Sequence, residues 1–563
     1  MHERRAMVED GFLKLNSSTP LPPNMLMHPL DPKDQQQQAE SAGGNSGIVS
    51  DCEIFGSDCL RDIAPEPSQV RWLINAQVGA ETFVAGEAAE LMRGNGCTII
   101  ARPWGLPGYV SCSDSRCPSP EALVKLLTLR SAVHVLEYHH HFTMSDVAIS
   151  GAKDDDNGKS RGDQGDETVP SPAKRAKLSS DSADCLSSTI DGLSSSTLHA
   201  PAPASKPDNG TWDTGPRLPP KPAKPAQPSA EDLYAHVKRL LASGALSISS
   251  LERNASVSKF RVSCNRLGNH PFNSVQVEFE VGGAIDEHYT NVRPAMKKYD
   301  VNIRCDIVGS AVILGTQCNS KDLSKRHKLK YVNRVTIKSN LAYILLRAAA
   351  VKSGTCILDP FCGSGTLLLE AAEWLGNDVS CVGLDVNRSA IAGAKKNAAA
   401  EGAGDPVCAF HCLDARALRK VCPDESVDAI VTNLPWGVQT GKHADLEQLY
   451  EVILRTGWYA LKPGGRLVML VLRGLQMMRI LRRLGGRYRM LTGGFQVVRT
   501  TNNLPCICVV EKLAEDRQHD ALKRQLYHYS QFVNVSAEMY RAIHMESTGT
   551  SKESTSSKNI EKK

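Results

Sequence analysis

Asn433, Leu434, Pro435 and Trp436 follow directly after the apolar segment VDAIVT, and they are unusual residues for the end of a core strand. The side-chain oxygen of Asn433 and the backbone carbonyl of Leu434 can both accept hydrogen bonds from one exocyclic amine. Pro435 has no N–H and a fixed φ, so it stiffens the turn. Trp436 offers a flat face for stacking a planar base or amide. The motif suits the presentation of a planar, amine-bearing group to an electrophile, and the structural alternative is a strand exit with a buried tryptophan.

The stretch DPFCGSGTLLLEAA (359–372) links another apolar strand to a helix. Gly363 and Gly365 permit a tight turn and close approach of a ligand, and the helix start offers free N–H groups. The pattern is neither Gly-x-Gly-x-x-Gly nor a P-loop, so triphosphate binding is not expected. Asp359 suits a cationic ligand, such as the amino-acid end of a sulfonium cofactor. We include Phe361 and Thr366 of this stretch among the candidate cofactor residues.

Two further carboxylates end neighbouring strands of the predicted sheet. Asp385 closes VGLD, where an acidic residue can accept hydrogen bonds from ribose hydroxyls. Asp414 closes CLD and could accept from the exocyclic amine of an adenine. Parallel strands gather their carboxyl ends at one edge, where such sheets bind ligands. Together with Asp359, the two residues therefore predict a nucleoside-cofactor site next to Asn433.

Regular alternation of strands and helices must position these residues. From residue 355 onward, apolar strands are separated by single helices, which predicts right-handed crossovers and a parallel sheet. The last two strands, YRMLTGGFQVVRT and PCICVVEKL, are too close together for a crossover and predict an antiparallel closure. The strand tips that carry the candidate residues then share one edge.

The composition of the chain indicates its domain count, its partners and its location. The 563 residues exceed one ordinary domain, and the net charge of +5 leaves a nucleic-acid partner to be argued from local patches. The 17 cysteines show no Cys-x-x-Cys pair, which favours reduced thiols in an intracellular protein. No apolar run approaches the roughly 20 residues that span a bilayer, so no membrane partner is expected. Three consecutive histidines, His139–His141, would alternate between strand faces, so we predict no metal site there.

These motifs carry a family resemblance. The stretch from residue 355 to about 513 resembles class I S-adenosylmethionine-dependent methyltransferases, and NLPW resembles the Asn/Asp-Pro-Pro-aromatic motif of their amino-methylating branch. Leu434 departs from the usual proline there, which favours the THUMP-domain guanine-N2 enzymes over DNA adenine enzymes. Upstream, FRVSCNRLGNHPF, YDVNIRCDI and SKRHKLKYVNRVTIKSNLAYILLR resemble a THUMP domain that leads into the methyltransferase.

The resemblance implies an α/β fold: a Rossmann-like class I methyltransferase domain with a seven-stranded, mostly parallel sheet and an antiparallel closing strand, preceded by an α/β THUMP domain and an N-terminal ferredoxin-like unit. The predicted boundaries are a disordered arm (1–68), the ferredoxin-like unit (69–145), a disordered linker (146–229), the THUMP domain (230–335), the methyltransferase domain (336–515) and a polar tail (516–563).

The resemblance also implies the activity and the partners. S-adenosylmethionine would be the cofactor and N2-methylguanosine in tRNA, in the acceptor-stem region, the product, with Asn433 and Trp436 on the target guanine and Leu434 and Pro435 acting through the backbone. A small zinc-binding methyltransferase activator subunit would form a heterodimer with the chain. The basic stretch before the methyltransferase domain offers candidate phosphate contacts, which are Lys321, Lys325, Arg326, Lys328, Lys330 and Arg334.

Other interpretations stay open at this point. The same chemistry could act on a small nuclear RNA, a related strand-tip motif serves protein glutamine-N5 methylation, and the fold could survive as a non-catalytic RNA-binding scaffold. Lys174, Arg175 and Lys177 lie in a proline-led basic cluster that resembles a nuclear import signal at 172–178. A cytoplasmic or nuclear location, or both, is therefore expected.

Overall fold

The computed structural model describes residues 60–61, 64–114, 120–148, 227–252, 257–437, 445–500 and 503–513. Most of the predicted arm, the linker with its basic cluster at 172–178, and the polar tail lie outside these residues. Leu60–Arg61, within the stretch predicted as the arm, pairs in parallel with Ile100 and Ala101. No helix in the described ranges is long and apolar enough to cross a membrane.

The N-terminal unit is ferredoxin-like, with a β–α–β–β–α–β order that follows a short first strand. Its elements are β1 (Leu60–Arg61), β2 (Val70–Asn75), α1 (Glu81–Leu91), β3 (Cys97–Ala101), β4 (Tyr109–Asp114), α2 (Pro120–Leu126) and β5 (His134–Thr143). The strands lie in the order β1-β3-β4-β2-β5. A cluster of buried apolar side chains, including Ile74, Val84 and Leu126, packs the helices onto the sheet.

The THUMP part follows. It comprises α3 (Ala230–Ala242), α4 (Ser249–Glu252), β6 (Lys259–Ser263), β7 (Arg266–Leu267), α5 (Ser274–His288), β8 (Arg293–Pro294), β9 (Val301–Val308) and β10 (Ala311–Gln317). Capping boxes begin both long helices, from Ser229 with Asp232 and from Asn273 with Gln276. Each box satisfies two backbone N–H groups that the helix start leaves unpaired.

One continuous sheet joins these two parts. β10 pairs antiparallel with β5 on one side and with β9 on the other, so ten strands form a single sheet. The register runs from Ala311 opposite Thr143 to Gln317 opposite Leu136. Backbone hydrogen bonds therefore cross from the N-terminal unit directly into the THUMP part.

The methyltransferase part contains a second sheet of seven strands in the order β13-β12-β11-β14-β15-β17-β16, of which β17 pairs antiparallel with both β15 and β16. Its elements are α6 (Ser339–Ala348), β11 (Thr355–Asp359), α7 (Thr366–Trp374), β12 (Val379–Asp385), α8 (Arg388–Ala400), β13 (Cys408–Cys412), β14 (Val427–Asn433), α9 (Leu446–Ala460), β15 (Leu461–Val471), α10 (Gly474–Arg483), β16 (Tyr488–Val497) and β17 (Cys506–Lys512). The predicted mostly parallel sheet with an antiparallel closure is confirmed. Its crossovers bring the tips of β11, β12, β13 and β14 to one edge.

The N-terminal unit packs onto the methyltransferase part. Ala80 and Phe83 belong to the same buried cluster as Leu341 and Leu345 of α6. The N–H of Arg499 donates to the carbonyl of Val78 over 2.9 Å. These contacts close one side of the space above the strand tips.

Candidate active site

A cleft of about 1260 Å³ lies over the carboxyl ends of the methyltransferase strands. Its floor carries the predicted site residues of the strand tips. Other lining residues, called the upstream wall, come from three upstream segments, namely residues 75–78 of the N-terminal unit, 265–266 of the THUMP part and 333–338, which connect the THUMP part to α6. The site is thus built by all three parts of the chain.

Asp359, at the tip of β11, is the buried acid of the cleft. Only 2% of the residue is exposed, and Oδ1 accepts from the N–H of Phe361 over 3.0 Å and from the hydroxyl of Thr432 over 2.7 Å. Burial raises the pKa of Asp359 to about 7, the two hydrogen bonds oppose this rise, and nearby Asp385 adds to it. A cation bound beside Asp359 would favour its ionised form.

The glycine loop has the backbone that its sequence predicts. Gly363 (φ +53°) and Gly365 (φ +82°) both lie in the left-handed region, and Gly365 is the N-cap of α7. A Cβ on Gly365 would meet the ring of Phe410 at 3.2 Å. Phe361, Gly363 and Thr366 line the cleft, whereas Gly365 shapes the turn behind them.

Asp385 is the last residue of β12 and lines the cleft, and the sequence predicted this place at the strand tip. Its oxygens accept from the N–H of Gly363 over 3.1 Å and from that of Asn387 over 2.8 Å, so the carboxylate ties the glycine loop to the start of α8. The next residue, Val386, also lines the cleft and is 67% exposed. An apolar side chain left exposed beside a ribose-type acceptor can pack against the face of a base, and no sequence pattern singles this valine out.

Asp414 lies in the cleft but already has a partner. Its carboxylate forms two hydrogen bonds with the guanidinium of Arg416, of 3.0 and 2.6 Å, and also accepts the Arg416 N–H. These hydrogen bonds to Arg416 lower the pKa of Asp414. An adenine amine would therefore share this carboxylate with Arg416.

Two orphaned polar atoms mark the tip of β14. The Oδ1 atom of Asn433 and the Nε1 atom of Trp436 are both buried, and neither has a hydrogen-bond partner among the described residues. Both residues line the cleft with Leu434 and Pro435 between them. Buried polar atoms are normally paired, and an unpaired acceptor and an unpaired donor on residues that line one cleft indicate a polar ligand.

Two residues that the sequence did not single out hold this tip. The hydroxyl of Tyr450, a fully buried residue of α9, donates to the carbonyl of Pro435. Thr432, one residue before the motif, binds Asp359 as described above and so couples the tips of β11 and β14. Neither residue type is diagnostic by itself, so only the fold reveals these roles.

The basic segment that connects β10 to α6 (residues 318–338), called the connecting segment, is held against the glycine loop. Asn397 of α8 is fully buried, and its amide oxygen accepts the N–H groups of Lys330 and Tyr331, each over 2.8 Å. The Asn397 amide nitrogen donates to the carbonyls of Tyr331 and Ser364 over 2.8 and 3.0 Å. One side chain thus fixes the basic segment to the glycine loop.

The predicted phosphate contacts divide into two groups. Lys321, Lys325, Lys328, Lys330 and Arg334 are exposed. Arg326 instead points inward, where its guanidinium donates to the carbonyls of Arg130 and Leu323 and to the buried carboxylate of Glu370. Its prediction as a phosphate ligand is corrected accordingly, because the charge is neutralised inside the protein.

Two groups of side chains that could bind a metal ion have hydrogen-bond or ion-pair partners within the protein. His327, Glu370 and Glu373 lie within reach of a common ion, but Arg130 binds both glutamates over 2.7 and 2.8 Å. The cluster is therefore an ion-pair network. In the run of three histidines at 139–141, the ring of His139 lies 2.7 Å from the hydroxyl of Thr316, and the ring of His141 lies 2.7 Å from the hydroxyl of Tyr138.

The residues of the cleft fit a sulfonium nucleoside. The cleft contains, in chain order, the buried carboxylate of Asp359, the turn at Gly363, the half-buried carboxylate of Asp385 and the exposed side chain of Val386. Asn433 and Trp436 lie at the neighbouring tip with unused hydrogen-bonding capacity. The cleft therefore offers one region for the cofactor and an adjacent one for a planar amine.

Comparison with known proteins agrees with this geometry. Residues 228–317 match the THUMP domain, and residues 326–491 match the RMKL-like methyltransferase domain. The chain is similar to TrmN from Thermus thermophilus in its crystal structure, with a TM-score of 0.51, 26% identity, and coverage of 78% of this chain and 99% of that one.

Sequence relatives give the same result. The tRNA (guanine(6)-N2)-methyltransferase of Thermus thermophilus is 36% identical over 253 residues, which are 43% of this chain and 74% of that protein. The tRNA (guanine(6)-N(2))-methyltransferase THUMP3 of Bos taurus is 30% identical over 39% of this chain, and the U6 snRNA (guanine-N(2))-methyltransferase THUMPD2 of Homo sapiens is 30% identical over 38%. The chain spans 45% and 40% of the length of these two mammalian proteins.

The domain pair, the match to three quarters of the bacterial enzyme and the strand-tip cleft lead to one conclusion. The chain belongs to the family of THUMP-domain methyltransferases.

Proposed function

We propose that this protein transfers a methyl group from S-adenosylmethionine to the 2-amino group of a guanine in tRNA, in the acceptor-stem region. The observation that carries the proposal is the buried Asn433 Oδ1 atom, which has no donor among the described residues and lies in the cleft at the tip of β14. An exocyclic amine is the donor that this position lacks. The names of the relatives support guanine as its source.

Asn433 and Leu434 act as hydrogen-bond acceptors. The guanine amine is a poor nucleophile, because its lone pair is delocalised into the ring. Two acceptors at the amine favour its pyramidal form and stabilise the positive charge that develops on the nitrogen, an effect of about 3 kcal/mol for each group. Trp436 holds the plane of the base, and the proton that the methylated amine loses can pass to water without a strong base.

The acids of the neighbouring tips bind the cofactor. When bound, the cofactor supplies an activated methyl group on a positively charged sulfur. Asp359 binds its amino-acid end, Asp385 accepts from the ribose hydroxyls, and Asp414 accepts from the adenine amine while it retains Arg416. Phe361, Gly363, Gly365 and Thr366 shape the turn that admits the cofactor.

RNA binds across the upstream parts. Exposed Lys321, Lys325, Lys328, Lys330 and Arg334 contact phosphates, which gives affinity without base readout. The target guanine must leave its stack to reach Trp436. A small nuclear RNA is the second candidate substrate, and the similarity to the human U6 snRNA enzyme favours it.

A small zinc-binding activator subunit completes the enzyme, and the complex works in the cytoplasm, the nucleus or both. Kinship with eukaryotic THUMP enzymes supports the subunit. The basic cluster at 172–178 supports nuclear entry.

The test is a labelling experiment on the purified chain, with and without the activator subunit. It is incubated with methyl-labelled S-adenosylmethionine and total RNA, and the RNA fractions are digested to nucleosides. We expect label in N2-methylguanosine from the tRNA fraction. Label from the small nuclear RNA fraction alone would replace the substrate, and label in protein or in no fraction would refute the proposal.

A further inference from the structure

The upstream wall of the cleft carries a cation outside the predicted set. Arg266, in the short strand β7 of the THUMP part, lines the cleft beside Asn265 and is half-buried. Arg334 and Lys338 line the same wall, but both are exposed. Arg266 therefore differs from an ordinary surface cation.

Two aromatic rings hold the Arg266 side chain. Its guanidinium carbon lies 5.9 Å from the ring centroid of Phe272, and the rings of Phe272 and His270 stack with centroids 5.5 Å apart. His270 Nε2 lies 2.8 Å from the carbonyl oxygen of Gly309, which can only accept, so Nε2 carries the proton. Nδ1 of the neutral ring then accepts from Arg266 Nη1 over 3.3 Å. Burial lowers the pKa of His270, in agreement with a neutral ring.

The Nε–H group of Arg266 lacks an acceptor in the part of the chain that the structure describes. The Nε atom is buried. Asp306 on the adjacent strand β9 is already committed, because its carboxylate accepts from the Arg304 guanidinium, the Tyr109 hydroxyl and the Asn265 N–H over 2.7 to 3.0 Å. A fixed guanidinium with an unused N–H edge matches the paired oxygens of a phosphate ester.

We propose that Arg266 binds a backbone phosphodiester of the RNA inside the cleft, beside the nucleotide whose base is presented to Asn433 and Trp436. The proposal rests on the proposed function, since it takes RNA as the substrate. His270 and Phe272 are positioning residues that act through Arg266. The THUMP part thereby contributes a residue to the catalytic cleft as well as to the outer RNA surface.

Arg266→Lys tests the proposal, because it keeps the charge and removes the planar fork. Arg261→Lys is the matched control. Arg261 also belongs to the THUMP part, lies 5.8 Å from the ring of Tyr299 and has a buried Nε without a described acceptor, but it does not line the cleft. Single-turnover methyl transfer is measured with saturating unfractionated tRNA, together with S-adenosylmethionine affinity and thermal melting.

We expect Arg266→Lys to slow methyl transfer about ten-fold or more, because a misplaced strand loses the reactive geometry, while cofactor affinity and melting stay at wild-type values. Arg261→Lys should stay within about two-fold of wild type, as is usual for changes outside the site. His270→Ala should slow transfer similarly, and the double variant with Arg266→Lys should be no slower than either single one. Equal rates for the two lysine variants, or a loss of cofactor affinity in Arg266→Lys, would overturn the proposal.

A second measurement separates this proposal from the proposed function. If the wild-type protein methylates no RNA, the proposed function fails. The phosphate contact of Arg266 is then tested by measuring tRNA binding at several salt concentrations. Arg266→Ala should lower the slope of log K against log salt concentration by about one, whereas Arg261→Ala should leave it unchanged. Unchanged slopes for both variants would refute the phosphate contact.

Discussion

Asp359 holds a carboxyl group where water is nearly excluded, and among the described residues it accepts two hydrogen bonds, from Phe361 and Thr432. The folded-state pKa of about 7 lies above the ordinary value of 3.8. The folded protein therefore binds this proton more tightly than the unfolded chain, and the Asp359 contribution makes folding less favourable as the pH rises from about 4 to about 7. Binding of a cation has the opposite dependence, since it needs the ionised group.

The affinity for S-adenosylmethionine should consequently rise with pH. Between pH 6 and pH 8 we expect a gain of about ten-fold, because the ionised fraction of Asp359 grows with a pKa of about 7. Calorimetric titration of the wild-type protein and of Asp359→Asn measures this dependence. The ligand's own titration is common to both proteins, so a parallel pH dependence in the variant would contradict the role of Asp359.

Asn433 can be tested by removing its acceptor. Asn433→Ala should lower the single-turnover rate about 10²- to 10³-fold, the usual loss when one group that stabilises transition-state charge is removed. Cofactor affinity should remain within about two-fold of wild type, since Asn433 acts on the other substrate.

Asn433→Asp serves as the conservative variant, because it retains an acceptor oxygen, and it should recover part of the rate. If the alanine variant lost cofactor affinity and rate in equal measure, Asn433 would be a structural residue.

At this scale the sequence predicted the tips of the strands well and their neighbours poorly. Asp359, Asp385, Asp414 and Asn433 each follow an apolar strand, and that local pattern fixes their place at the sheet edge. Val386, Thr432 and Tyr450 have no such signature. Their roles depend on which side chains face them, and a linear pattern does not contain that information.

Among the elements, α9 contributes to the active site without carrying a predicted site residue. Its Tyr450 hydroxyl donates to the Pro435 carbonyl and thereby fixes the turn that follows Asn433. Tyr488 of β16 offers a comparison, because its buried hydroxyl donates to the carbonyl of Leu454 over 2.6 Å, away from the cleft.

Replacing each tyrosine by phenylalanine should separate stability from activity. Tyr450→Phe and Tyr488→Phe should each lower the free energy of unfolding by about 1 to 3 kcal/mol, since each removes a hydrogen bond from a buried tyrosine hydroxyl to a backbone carbonyl. Tyr450→Phe alone should also slow single-turnover methyl transfer, by about three- to ten-fold, because the Asn433 turn loosens. Urea unfolding and labelled transfer check the two effects, and equal rates in both variants would exclude a positioning role for Tyr450.

At the scale of the whole molecule, an ion-pair network around Glu370 connects different parts of the chain. This fully buried carboxylate of α7 accepts from Arg130 and Arg326, each over 2.7 Å, and lies 2.9 Å from His327 Nε2. Arg130 belongs to the N-terminal unit, while Arg326 and His327 belong to the connecting segment. Three parts of the chain thus depend on one carboxylate.

Glu370→Gln should destabilise the protein by about 3 to 5 kcal/mol, because Arg326 would lose its carboxylate partner and Arg130 would keep only the partly exposed Glu373. Glu373→Gln is the matched control on the same helix. Glu373 also binds Arg130, over 2.8 Å, but its side chain is 44% exposed, and such pairs contribute about 1 kcal/mol or less. Denaturant unfolding of both variants measures the two losses of stability. Similar losses would mean that burial does not control the strength of these ion pairs.

The sequence predicted the order of the parts and not the way they pack. Arg130 and Glu370 are 240 residues apart, and Gln77 is 422 residues from Arg499, whose carbonyl it contacts. Periodicity identifies strands and helices but not their distant partners, and so the N-terminal wall of the cleft could not be inferred. The inward turn of Arg326 has the same origin, since a basic run does not reveal which of its members finds a buried acid.

The pairing of β5 with β10 has a consequence for solubility. If the N-terminal unit were removed, β10 would present an unpaired edge from Ala311 to Gln317, including Val312, Ile313 and Leu314, which are all buried in the full sheet. An apolar edge of this length is a template for strand addition by a second chain. A fragment that begins at residue 230 should therefore self-associate at concentrations where the full chain is monodisperse by light scattering, and a monodisperse fragment would contradict this. The ferredoxin-like unit acts here as a built-in guard against aggregation.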